Sequence, residues 1–348
     1  MVGPGPLFAA GSLFKQTMQK QTLGTSDVKV TPMAFGAWAI GGWMWGGAEE
    51  SDAVKALHAS LDLGMTTIDT APVYGFGRSE EIVGKALRGI ARDKYQILTK
   101  YGLNWESPQG EFYFDTKDNA GNPIKIYRWS SRQRVLREID DSLRRLQTDY
   151  VDLLQIHWAD STTPISETME TVAELIKAGK VRAAGVCNYN ADQVNEARKT
   201  LNIVSNQVPY SMINRGIEQD VVPQALEFGM SILPYSPLQR GLLTGKIKSD
   251  HRFNDGDSRE GNRFYTPENI SLTNALLEKI KPIADGHNAT LAQVVINWTT
   301  RQPAMHCVLA GARNEKQVKE NVGALDFVLS DEELALINAA LRDFKLAE

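Results

Sequence analysis

The chain has 348 residues, 42% of them apolar and 23% charged, with a formal net charge of −4. That balance suits a packed soluble globule, long enough for one large barrel or two medium domains, and excludes a disordered chain. Lys and Arg are scattered singly, which argues against nucleic acid or an anionic membrane as the main partner and still allows a pocket for one phosphate.

The first 17 residues, MVGPGPLFAAGSLFKQT, are rich in Gly and Pro, lack a basic leader and precede an internal Met18. They are read as a tail or expression remnant, outside a single domain at 18–348. KQTLGTSDVKV then places a turn at Gly24–Asp27 between two short β segments, the pattern of a hairpin closing one end of a barrel. Strands are predicted at 33–38, 66–70, 95–100, 151–157, 181–187, 203–208, 231–236 and 306–311. Several are apolar on both faces, as parallel strands covered by helices must be. Helices are predicted between them, at 50–62, 79–88, 190–199, 217–228, 290–301 and 314–324. Another is SSRQRVLREIDDSLRRLQ, where Leu136, Ile139, Leu143 and Leu146 form one stripe and Ser130 or Ser131 caps the start. In TPISETMETVAELIKAGK, Thr163 is the expected cap, Pro164 suits the first turn and Gly179 the left-handed stop. Eight strand–helix pairs in series imply a (β/α)8 TIM barrel, with long loops after strand three (101–130) and strand seven (238–268) and an extra helix near 330–342.

Two cysteines, Cys187 and Cys307, show no metal-type spacing, so neither a disulfide scaffold nor a metal site is expected, and a reducing cytoplasm is the expected setting. No apolar run approaches the roughly 20 residues of a membrane helix.

In such a barrel the reactive groups sit at the C-terminal ends of the strands. Asp69 ends strand two, Tyr74 follows five positions later, Lys100 ends strand three and His157 ends strand four. Together they can move a proton. A free tyrosine has a pKa near 10, a neighbouring ammonium lowers it, a carboxylate holds the ammonium, and a histidine can donate to a carbonyl oxygen. Singly, each has a plainer reading: Asp69 as a turn anchor, Tyr74 as a surface ring, His157 as a core histidine. Lys100 is the least ordinary, since a lysine ending an apolar strand must be paired if buried. The glycines of YGFGRSE do not make GxGxxG. They are read as a tight turn, with Ser79 capping the next helix. A phosphate site is expected instead at GARNEKQVKEN, where Gly311 precedes a helix and Arg313, Gln317 and Asn321 recur on one face.

With these residues in view, the chain resembles the aldo-keto reductase superfamily from about residue 20 to 345, within the branch of the potassium-channel β subunits and inositol-cluster reductases. The motifs that carry the resemblance are TTIDTAPVYGFGRSEEIVGKAL, ILTKYG, DLLQIHW, GVCNY, SNQVPYS, YSPLQRGLLTGK and GARNEKQVKEN. The resemblance implies metal-free, NADP(H)-dependent carbonyl reduction, with NAD(H) the lesser alternative. Tyr74 would be the acid, Lys100 and Asp69 its tuning pair, and His157 the carbonyl donor. Asn188 and Gln207 would hold the nicotinamide carboxamide and Tyr235 would stack on its ring, with Gly36, Ala37 and Trp38 at the opening beside it. Ser236, Pro237, Leu238, Arg240, Gly241 and Lys246 would follow the pyrophosphate, with Arg259 from the lid. Gly311, Arg313, Gln317, Glu320 and Asn321 would surround the adenosine and its 2′-phosphate. Cys187 stands where many members carry serine, and Gly311 where other branches carry a phosphate-binding lysine.

The expected partner is a small carbonyl compound (a sugar, a small aldehyde or an aromatic ketone). Trp43, Trp45, Trp105 and Trp158 are expected to wall its site with Tyr74 and His157, joined by Asn104, Phe112, Tyr113, Tyr127 and Trp129. A homo-oligomer is left open. A cofactor-binding, redox-sensing regulatory subunit with slow turnover is the alternative function. A Schiff-base lyase using Lys100 is a third, disfavoured because a lysine paired with Asp69 is a poor nucleophile.

Overall fold

The computed structural model describes residues 18–347 apart from 46, 48, 254–256 and 258. Eight parallel strands close into a barrel: β1 (Met33–Gly36), β2 (Thr67–Asp69), β3 (Gln96–Tyr101), β4 (Val151–Ile156), β5 (Val181–Cys187), β6 (Ile203–Pro209), β7 (Ser231–Tyr235) and β8 (Val308–Gly311). Each pairs with its chain neighbours, and β8 returns to β1 in the register Gly311↔Gly36. The cause is in the sequence. QILTKY and VDLLQI are buried at every position, so both faces need cover, and helices supply the outer one.

Helices α1 (Glu50–Asp62), α2 (Arg78–Leu87), α3 (Arg132–Leu146), α4 (Ile165–Lys177), α5 (Ala191–Arg198) and α6 (Val221–Phe228) follow the first six strands. Then come α7 (Pro267–Gly286), α8 (Leu291–Thr300), α9 (Glu315–Val322) and α10 (Asp331–Arg342). The expected elements are all present, and α7 is an addition. Its stripe, Ile270, Thr273, Leu276, Leu277, Ile280 and Ile283, is at helical spacing, and Thr266 caps it before Pro267 at its start. Pro267 and the internal Pro282 mask it in a plain reading for breakers.

Three caps differ from expectation. Ser131 precedes α3 but its hydroxyl makes no cap bond, and Pro164, not Thr163, occupies the cap position of α4. Gly77, not Ser79, stands at the cap position of α2, and the Ser79 hydroxyl donates to the Ala37 carbonyl at 2.8 Å.

The hairpin Gln21–Thr22 with Lys29–Val30 contributes Leu23, Val28 and Val30 to an apolar cluster with Ala34, Leu98, Leu153, Ala183, Leu233 and Leu309. These barrel-facing side chains fill the interior from below, leaving the strands' C-terminal ends for polar groups. The segment after β3 is not an irregular loop. Leu103–Asn104, Glu111–Lys117 and Pro123–Arg128 form a three-stranded antiparallel sheet. Asp118 closes its turn by accepting from the backbone of Ala120 and Asn122 at 2.9 and 2.8 Å. Among the described residues no helix is long and apolar enough to cross a membrane.

Candidate active site

The strand registers bring the predicted groups together. Asp69 is level with Gly36 and Leu98, and Lys100 is level with Gln155. Lys100 is fully buried and donates to Asp69 Oδ1 at 2.6 Å and to the Thr70 carbonyl at 2.9 Å. The other carboxylate oxygen accepts from Gln207 Nε2 at 2.8 Å and from Gln155 Nε2 at 3.4 Å. Burial works against the lysine's charge, but the Asp69 carboxylate overrides it and holds the pKa above its ordinary value.

The Tyr74 ring lies over this pair, with Lys100 Nζ 4.9 Å from its centroid. Trp38 stacks beside it at 6.0 Å and His157 meets it edge-on at 5.8 Å. The loop can hold it there because two glycines permit a backbone other residues resist. Gly75 has φ +68° and Gly77 φ +101°, and a Cβ on Gly75 would stand 2.2 Å from the Gly41 carbonyl oxygen. The expectation that the lysine lowers the phenol's pKa holds only in sign. Burial outweighs it and pushes Tyr74 up to about 12, with Lys100 pulling down and Asp69 pushing up. The phenol is therefore protonated at neutral pH. Burial, reinforced by Lys100, drives His157 well below the ordinary imidazole range, so it is neutral. A neutral imidazole and a protonated phenol can both donate to one oxygen atom.

A continuous cavity of about 590 Å3 starts at Tyr74 and His157 and runs to the start of α9. All of the expected cofactor residues line it: Gly36, Ala37, Trp38, Asp69, Asn188, Gln207, Tyr235, Ser236, Pro237, Leu238, Arg240, Gly241, Lys246, Arg259, Gly311, Arg313, Gln317, Glu320 and Asn321. Their chemistry fits an extended dinucleotide: amides at one end, cations along the middle, and a cation with amides at a helix N-terminus. At the deep end Asn188 accepts from the Tyr235 hydroxyl at 3.0 Å and donates to the His157 carbonyl at 3.1 Å. At the far end Asn321 donates to the Gly311 carbonyl at 3.1 Å, and Gln317 accepts from the Arg313 backbone at 2.8 Å. Arg259 is held by Asp257 at 2.6 Å.

Trp43, Trp45, Trp158, Tyr113 and Phe114 also line the cavity and make an aromatic wall. Trp105 does not: it stands behind Phe76 at 5.6 Å. Phe112 is half exposed, paired with Tyr127, and the Asn104 amide is turned to Ser107 and Gln109. Gln155 was not anticipated. Its signal was period two: on β4 it shares the inward face with Leu153. Cys187 and Cys307 are free and buried, and burial raises both thiols. Among the described residues no cluster of His, Cys, Asp or Glu could hold a metal.

A parallel barrel with a buried lysine–carboxylate pair beneath a tyrosine, opening on a dinucleotide-shaped cleft, defines the class of protein as a nicotinamide-dependent oxidoreductase. Residues 32–342 match the aldo/keto reductase family, and the chain belongs to it. It is an NAD(P)H-dependent oxidoreductase acting on carbonyl groups. The chain is similar to aldo-keto reductase YhdN of Bacillus subtilis, 35% identical over 94% of each chain. It is also similar to the NADH-specific methylglyoxal reductase of Escherichia coli, 34% identical over 92% of this chain and 97% of that one. Among solved structures, the glycerol dehydrogenase AKR11B4 from Gluconobacter oxydans superposes with a TM-score of 0.84, at 35% identity over 93% and 95% of the two chains.

Proposed function

We propose that the protein reduces aldehydes or ketones to alcohols with NADPH, using Tyr74 as the general acid. The observation that carries this reading is the Lys100–Asp69 pair, fully buried and 2.6 Å apart under the Tyr74 ring. A nicotinamide bound in the cleft would supply the hydride for the carbonyl carbon. The chain's own residues do the rest. Tyr74 gives its hydroxyl proton to the carbonyl oxygen and His157, neutral, donates a second hydrogen bond there. Lys100 stabilises the phenolate left behind, and Asp69 keeps the lysine charged and in place. The Asn188 and Gln207 amides would hold the carboxamide and Tyr235 would back the ring. Trp43, Trp45 and Trp158 exclude water from the reacting carbon.

Arg313 supports the NADPH preference. It is exposed just ahead of α9 and lines the cleft, with an N–H reaching the Trp45 carbonyl at 3.4 Å, and a guanidinium fork in that setting suits a 2′-phosphate. The similarity to an NADH-specific enzyme makes this the point to test. The aromatic wall suits several carbonyl classes, and the names of the relatives point toward small oxygenated ones. Tyr74→Phe should lower reduction of a panel of aldehydes and ketones at least ~100-fold while NADPH titration stays near wild type. Near-full activity in that variant would sink the assignment.

A further inference from the structure

We infer that Glu80, with Thr99 and Arg145, is a positioning clamp that fixes Lys100 relative to Tyr74; the inference rests on the proposed role of Tyr74. Thr99 precedes Lys100 on β3, so its side chain points out of the barrel where the lysine points in. There its hydroxyl donates to Glu80 Oε1 at 2.6 Å. Arg145 of α3 donates to the other oxygen, Oε2, at 2.7 Å. Glu80 and Thr99 are fully buried, and Arg145 is nearly so. A buried carboxylate needs such partners, and its place in the first turn of α2 also suits its charge.

The location matters more than the stability. Glu80 lies six residues after Tyr74, and the intervening turn is closed by its own backbone. The Ser79 N–H donates to the Tyr74 carbonyl at 3.1 Å and the Gly77 N–H to the Pro72 carbonyl at 2.7 Å. The next side chain outward, Ser79, bonds Thr70 at 2.9 Å and the Ala37 carbonyl. Arg145 runs directly under this turn: a Cβ on Gly77 would lie 3.0 Å from its Cδ. From Lys100 through Thr99, Glu80 and Ser79 to Tyr74 there is thus a short path of covalent and hydrogen bonds outside the barrel. Inside it, the same two residues meet through space, with Asp69, His157, Cys187 and Tyr235 as the other titratable groups facing Tyr74. The clamp sets the distance over which the ammonium acts on the phenol.

Thr99→Val removes the 2.6 Å bond with little change of volume; Thr99→Ser keeps it. In the full-length protein, Thr99→Val should lower kcat for carbonyl reduction about tenfold, with the NADPH dissociation constant within about twofold of wild type. With the ammonium held less closely, the acid limb of alcohol oxidation, which follows ionisation of Tyr74 in the enzyme loaded with NADP+, whose cationic ring would bring the phenol down from its value in the free chain, should move up by ~0.5 pH unit. Thr99→Ser should restore both, and Glu80→Gln should reproduce the Thr99→Val profile. A Thr99→Val enzyme with a lower Tm but unchanged kcat per cofactor-binding site and an unmoved pH limb would overturn the clamp, as would failure of Thr99→Ser to restore the limb. Run alongside, Tyr74→Phe separates the two readings. If it is inactive and Thr99→Val is normal, only the clamp fails; if Tyr74→Phe is active, both fall.

Discussion

The two ends of the cleft are built differently. At the deep end the charged and amide groups are tied to one another within the barrel: Lys100 to Asp69 and Thr70, Asp69 to Gln207 and Gln155, Asn188 to Tyr235 and His157. At the far end the groups are exposed and loosely tied. Lys246 pairs with Glu320 at 3.4 Å with most of its side chain in solvent, and the exposed Arg313 guanidinium reaches the Trp45 carbonyl at 3.4 Å. Buried charges act through a low dielectric and tolerate little error; exposed ones are screened and exchangeable. On the proposed reading, chemistry is thereby fixed at one end, while cofactor preference is left adjustable at the other.

The contrast breaks most visibly at the lysine. Lys100→Met should lower turnover by about a thousandfold and cost about 3 kcal/mol of stability, because Asp69 stays buried without its cation. Adding Asp69→Asn should return much of the stability and none of the activity, as chemical denaturation and turnover on one preparation would show. Recovery of both would mean the pair is structural only. Arg313→Ala comes next: NADPH affinity should fall roughly tenfold or more and NADH affinity less than about twofold, read by fluorescence titration. Equal losses would remove the 2′-phosphate role. At the deep end pH should matter little. With Tyr74 at about 12 and His157 held neutral, kcat for reduction should be flat between about pH 6 and 9. An inflection near 6.5 that vanishes in His157→Gln would contradict the neutral imidazole. The smallest effect belongs to Glu320→Gln, less than about threefold on cofactor affinity and fading as salt is added.

Much of this was readable before any coordinates. The eight strands are buried on both faces, so their apolar runs announce them, and Asp69, Lys100 and His157 are polar interruptions at their ends. Other features resisted reading because they depend on side-chain direction or on long-range contact. Trp105 and Trp158 look alike in sequence, but one faces the cavity and the other backs onto Phe76. The sheet at 103–128 hides its alternation in a run of aromatic and charged residues, its register shifts between Phe112 and Phe114, and its Asp118 turn closes the hairpin. The tyrosine's ionisation also could not be judged locally, since it is a contest between Lys100 and a burial that the loop after β2 creates.

The hairpin at Gln21–Val30 seals the barrel floor with Leu23, Val28 and Val30. The cleft at the strands' C-terminal ends is consequently cut off from the barrel's opposite end. On the proposed reading, a nicotinamide held by Tyr235 and Asn188 would share this cleft with whatever occupies the aromatic wall, so cofactor and substrate would come and go by the upper face and never through the floor.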